Sequence, residues 1–149
     1  MAQHDATRAR LADICSRYLA AFATGDADLV ASFVDESFVN EHTAALGSGC
    51  VGRDEYRSRL PNFMASMPGL RYEVESQVVD VDTSTVANAY TLHAHVNDRD
   101  IAVRGLLRIH VDPETGLILD RTDYWDSTIF LRQAGLRSEE HTSELQSRV

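Results

Sequence analysis

The sequence predicts an α+β domain: three N-terminal helices packed in the concave face of a curved, mainly antiparallel sheet of four or more strands. Three observations predict it. Apolar residues recur at helical spacing in the first half of the chain, and the period changes to two beyond Pro68-Gly69. The segments of period two are joined by loops short enough for hairpins.

From Thr7 to Ala23 the apolar stripe is Leu11, Ile14, Cys15, Tyr18, Leu19 and Phe22, the pattern of an amphipathic helix. Gly25 stops it, and Asp26 is placed to cap a short second helix carrying Leu29, Val30 and Phe33. Gly47, Ser48, Gly49 and Gly52 mark a loop. A third helix starts near Arg53 and buries Tyr56, Leu60, Phe63 and Met64, with Pro61 expected to kink or divide it. Strands follow at Leu70–Val81, Thr85–Val96, Ile101–Val111 and Leu117–Asp126, joined through DVDTS, NDRD and DPETG. Ile129–Leu136 is a short closing segment.

A chain of 149 residues is one domain. Its boundaries are read as 1–136, because 137–149 is polar and patternless, and RSEEHTSELQS resembles a translated sequencing-library adapter. With 14 basic and 23 acidic side chains the net charge is −9, which argues against nucleic acid or an anionic membrane as partner. Every basic residue is arginine and none is lysine, a composition expected of a GC-rich source. No run approaches the ~18 apolar residues of a membrane helix, and the N-terminus has no apolar signal core. Cys15 and Cys50 are too few for a disulfide framework, so the expectation is a cytoplasmic protein.

Three blocks, SRYLAAFATGDADLVASFVDESFVNEH, GRDEY and GLILDRTDYWD, resemble the nuclear transport factor 2-like superfamily. Within it the SnoaL-like polyketide cyclases, ketosteroid isomerases and limonene-epoxide hydrolases are the informative comparisons. The resemblance implies a cone-shaped pocket between sheet and helices, lined here by Phe22, Phe38, Leu60, Phe63, Leu107 and Tyr124. It also implies no cofactor, and a homodimer through the outer face of the sheet. The isomerase pattern places its oxyanion-binding tyrosine on Tyr18 and its general base on His42; its second oxyanion donor falls near Gly105 or Leu107. The hydrolase pattern places its terminal aspartate on Asp126 and its Arg-x-Asp pair on His93 and His95.

Two histidines at i and i+2 share one strand face, and the implied register points His93 and His95 into the cone with His42. An imidazole exchanges protons near neutral pH, an aspartate can fix its tautomer, and a tyrosine hydroxyl can donate to a developing enolate. The expected activity is therefore acid–base chemistry on a small hydrophobic carbonyl compound, by isomerisation, cyclisation or dehydration. His42 is the expected base and Tyr18 the donor; Asp126 with His93 or His95 orients and relays. Water activation on an epoxide, a metal held by His93, His95 and Asp126, and ligand binding without turnover stay open. Other roles are also open: Tyr18 as core, Asp126 as a helix cap, Arg121, Asp123 and Glu41 as structural ion pairs, and Tyr124 and Trp125 as packing.

Overall fold

In the computed structural model, which describes residues 2–136, helix α1 runs Ala2–Ala21 and buries Leu11, Ile14, Cys15, Tyr18 and Leu19. That is the predicted stripe. The helix starts earlier than Thr7 because AQHDA holds neither glycine nor proline to prevent it. A 3-10 turn, Phe22–Thr24, ends at Gly25 with φ 71°, and the Asp26 side chain caps α2 (Ala27–Ala31) by accepting from Leu29 N at 3.1 Å.

Strand β1 (Val34–His42) and the short β2 (Cys50–Val51) then pair antiparallel. Helix α3 (Arg53–Ser66) runs through Pro61 undivided, anchored by buried Tyr56 and Leu60 on its inner face. The expected division does not occur: the helix continues through Pro61 despite the backbone hydrogen bond that a proline forfeits, with Tyr56 and Leu60 buried on its N-terminal side. Strands β3 (Arg71–Asp80), β4 (Thr85–Val96), β5 (Arg99–Val111) and β6 (Ile118–Tyr124) form the predicted meander, closed by α4 (Ser127–Ala134). Asn97 and Asp98, at φ 52° and 60°, make the two-residue turn between β4 and β5.

The sheet is open and six-stranded, in the order β2-β1-β6-β5-β4-β3, with β1 parallel to β6 and every other pair antiparallel. β1 went unread in the sequence because its pairing shifts register between Val34 and Val39, which breaks the alternation of apolar positions. α1 lies across β3 and β4 on the concave face, where Tyr18, Phe38, Val86, Leu107 and Ile109 are fully enclosed. No helix among the described residues is long and apolar enough to cross a membrane. Residues 137–149, read above as a tail, lie outside the described residues.

Candidate active site

The parallel pairing of β1 with β6 builds the site. Its register sets Asn40 beside Arg121 and His42 beside Asp123. Alternation then turns Asn40, His42, Arg121 and Asp123 toward the concave side. There they join a pocket of about 730 Å³, its open side included. Its walls are aromatic and aliphatic: Phe22, Leu60, Phe63, Leu92, Val103 and Phe130, with Tyr56, Tyr72, Tyr90 and Trp125 supplying polar edges.

The charged centre is a buried pair. Arg121 Nη2 donates to Asp123 Oδ2 at 3.3 Å, and the two side chains are 4% and 5% exposed. Tyr90 reaches Asp123 from β4, donating to Oδ1 at 2.6 Å. It crosses the intervening strand β5 over Gly105, its register partner. A Cβ on Gly105 would lie 2.6 Å from Tyr90 Cζ. Burial pushes the Asp123 carboxyl above the ordinary aspartate range, against the opposing pull of Arg121 and Tyr90.

Burial acts against the charge of Arg121 and is outweighed by the oxygens of Tyr18, Tyr56, Tyr72 and Asp123 around it. Arg121 Nη1 donates to Tyr18 Oη at 2.9 Å, and Tyr18 and Tyr56 share a short hydroxyl–hydroxyl hydrogen bond. With Tyr18 donating to Tyr56, the Tyr56 hydroxyl is free to donate into the pocket that it borders; either hydroxyl can supply the shared proton. Two buried atoms at the centre have no partner among the described residues: Arg121 Nε and Asn40 Oδ1.

His42 is neutral. Burial, then the Arg121 charge, holds its pKa down at about 3. Trp125 Nε1 donates to its Nδ1 at 3.0 Å, which places the ring proton on Nε2. Gly47 closes over this ring, with room for no Cβ. His42 thus borders the pocket as expected, with Nδ1 taken by Trp125 and its charged form disfavoured by burial.

The other expected residues part company. His93 and His95 point away from the pocket: His93 Nε2 pairs with Glu73 at 2.9 Å, and His95 Nδ1 pairs with Asp100 at 2.9 Å. Tyr90 and Leu92 take the inward positions of β4, so the odd-numbered residues face out. Asp126 caps α4, accepting from Thr128 N at 2.8 Å. The alternative metal set of His93, His95 and Asp126 does not assemble: among the described residues no group of three acidic, histidine or cysteine side chains could hold a metal ion. Tyr18 lies behind the pocket as a support for Arg121. Of the expected lining, Phe22, Leu60 and Phe63 take part. Phe38 and Leu107 are core, and Tyr124 is an exposed outer-face residue beneath Arg108.

What was missed is Arg121, Asp123, Tyr56, Tyr72, Tyr90, Asn40 and Trp125. The available signal was Arg-x-Asp within DRTDYWD, and Asn-x-His within VNEH, each placing two polar groups on one strand face.

Comparison with known proteins follows from this geometry. The family profile described as SnoaL-like domain matches residues 15–121. No curated protein matches the sequence. Among solved structures, PrhC from Penicillium brasilianum superposes with a TM-score of 0.77 at 13% identity, covering 95% of this chain and 94% of that one. The BvnE pinacolase from Penicillium brevicompactum gives 0.77 at 16%, covering 86% and 94%. A candidate polyketide cyclase from Xanthomonas campestris gives 0.69 at 23%, covering 86% and 98%. At these identities the superpositions establish a shared fold.

Proposed function

The chain belongs to the SnoaL-like domain family, and on that footing we propose that it is a cofactor-independent acid–base enzyme. Its substrate in this reading is a small hydrophobic carbonyl compound, and its reaction an isomerisation, cyclisation or dehydration. One observation carries the reading: a single buried carboxyl, Asp123, with its pKa raised by burial, at the base of an aromatic pocket. A base with its pKa moved toward neutrality can both take and return a proton.

In this reading Asp123 removes the proton next to the carbonyl. The Tyr56 hydroxyl and His42 Nε2–H donate to the oxygen on which charge develops. Arg121 and Tyr90 hold the carboxyl in place, and protonated Asp123 returns its proton to another carbon or oxygen of the same molecule. The walls suit a neutral apolar skeleton. The same reading takes the enzyme to be cytoplasmic, and a homodimer through the outer sheet face, where Val39, Leu106 and Tyr124 are exposed.

The test is deuterium uptake. A panel of cyclic and open-chain ketones is incubated with the protein in D2O and followed by NMR. We expect exchange at the α-carbon, reduced by about 10²–10⁴ in Asp123→Asn. Ketones that bind yet exchange no faster than in buffer would overturn the reading and favour a binding protein. A second reading, epoxide opening, is favoured by the Arg121-x-Asp123 pair on one strand face, the pattern sought above at 93 and 95. Alkyl epoxides in the same panel separate the two.

A further inference from the structure

The pocket is charged unevenly. Its lining holds two arginines, Arg59 and Arg121, against one carboxyl, Asp123, with His42 neutral, in a chain of net charge −9. Arg121 and Asp123 pair with each other at the base, so the charge left over in the lining is that of Arg59. The sheet order sets where it stands. Cys50 on β2 is the register partner of Asn40 on β1, and Asn40 is that of Arg121 on β6. Arg59 Nη1 donates to the carbonyl oxygen of Gly49, the neighbour of Cys50, at 2.9 Å and to Ser48 Oγ at 3.2 Å. Two strand spacings, about 10 Å, therefore separate it from the charged base. Cys50 also borders the pocket; burial raises its thiol pKa, and Arg59 is the foremost charge opposing that rise.

Arg59 is held in place rather than neutralised. Glu55, one turn earlier on α3 and outside the lining, accepts from its Nε at 2.8 Å. The two side chains are 42% and 52% exposed, so solvent screens the pair. Ser48 and Gly49 are uncharged partners, and no hydrogen bond among the described residues engages Nη2. One uncommitted guanidinium nitrogen beside Glu55 suits a group of a single negative charge, where a phosphate dianion would be repelled by Glu55. We propose that Arg59 is a rim subsite for a carboxylate of the ligand, so that the pocket takes an oxo acid. Its carbonyl lies at the base, its carboxylate at the rim, and an apolar chain of about 10 Å joins them. This deepens the reading given above by naming the substrate class, and it rests on that reading for the carbonyl end.

Binding tests it without any turnover, so its failure is distinguishable from failure of the proton-transfer reading. Trp125 is the only tryptophan of the chain and borders the pocket, so its fluorescence reports occupancy. The probes are 8-oxononanoate and its methyl ester, titrated into the full-length protein at neutral pH and low salt. We expect the acid to bind about fivefold more tightly than the ester, the upper end of what a half-exposed pair supplies, and the preference to shrink at high salt. Arg59→Gln should bring the two within about twofold, with Arg59→Met as the substitute if glutamine does not fold. Because the acid-to-ester ratio is read, any general loosening of the loop that Arg59 holds cancels. Glu55→Gln removes a competing carboxylate and should widen the preference. Equal or weaker binding of the acid by the wild type would overturn the proposal. So would a preference that survives in a folded Arg59 variant, or one that Glu55→Gln abolishes.

Discussion

Gly105→Ala tests whether the site depends on the passage of Tyr90 across β5. Gly105 does not adopt positive φ, so alanine suits the backbone and by entropy alone would stabilise by about 0.5–1 kcal/mol. Packing reverses that sign. The added Cβ would meet Tyr90 Cζ at 2.6 Å and the Tyr124 carbonyl oxygen at 2.9 Å, both inside ordinary contact distance. Overpacking of this kind costs about 1–3 kcal/mol. Displacing Tyr90 also breaks its 2.6 Å bond to Asp123, and a bond to a charged group is worth about 1.5–3 kcal/mol. Set against the entropic gain, the net is a destabilisation of about 3 kcal/mol, seen as a lowered urea midpoint with unchanged slope, or about 10 °C in Tm. The Tyr90→Leu background separates the causes. There the ring is gone, so Gly105→Ala should cost less than half as much, the residue being the clash with the Tyr124 carbonyl. Equal cost in both backgrounds would refute the claim that Tyr90 is what Gly105 accommodates.

Three further outcomes follow from the same geometry. His42 is held at about 3 against about 6.5 in the unfolded chain, so the unfolded state alone takes up the proton between these values. Stability is therefore lost as pH falls from about 6.5 toward 3, by of order 5 kcal/mol at the limit, and urea melts should show a correspondingly steeper loss in the wild type than in His42→Asn. Tyr18→Phe leaves Arg121 Nη1 and Tyr56 without their shared hydroxyl. It should cost about 1–3 kcal/mol in denaturant and weaken binding of a ketone more than of a hydrocarbon of the same shape. Asp126→Ala removes only a helix cap, so it should cost about 1 kcal/mol in thermal melts and leave α-deuterium exchange unchanged.

The fold was legible because its signals are local. The Leu11-to-Phe22 stripe, Gly25 as a stop, Asp26 as a cap and DPETG as a turn each act over a few residues, and each appears in the structure. β1 was hidden because a strand that changes register loses its period, and because its partner β6 is the most distant strand in sequence. The site was legible only as far as His42 and the Phe22, Leu60 and Phe63 wall. Period-two alternation defines two faces of β4 and does not say which is wet. The neighbouring strand says it. Arg71, Glu73 and Glu75 alternate along β3 beside His93 and Thr91, with Glu73 paired to His93 and Glu75 to Thr91 and Arg104. Charges alternating on one strand opposite histidines on the next mark a solvated face with cross-strand ion pairs. The pairing of β3 with β4, read together with those acids, would have turned His93 and His95 outward and brought Tyr90 and Leu92 in.

The chemistry of the pocket then turns on a balance that neither partner sets alone. Asp123 is pushed toward its neutral form by burial and toward its charged form by Arg121 and Tyr90. If burial won outright, the arginine would be left as an uncompensated buried cation, which is costly. If Arg121 won outright, the carboxylate would be too weak a base to take a proton from carbon. Tyr18 and Tyr56 shift this balance by partnering the face of the guanidinium that Asp123 does not reach. They stabilise the cation without adding negative charge, so Asp123 is relieved of being its sole counter-group. His42, kept neutral by burial and then by the same cation, adds no competing charge. A single acid–base group is thus isolated in a pocket of titratable side chains. In the reading proposed above, that isolation, rather than the number of histidines, is what suits the site to proton transfer.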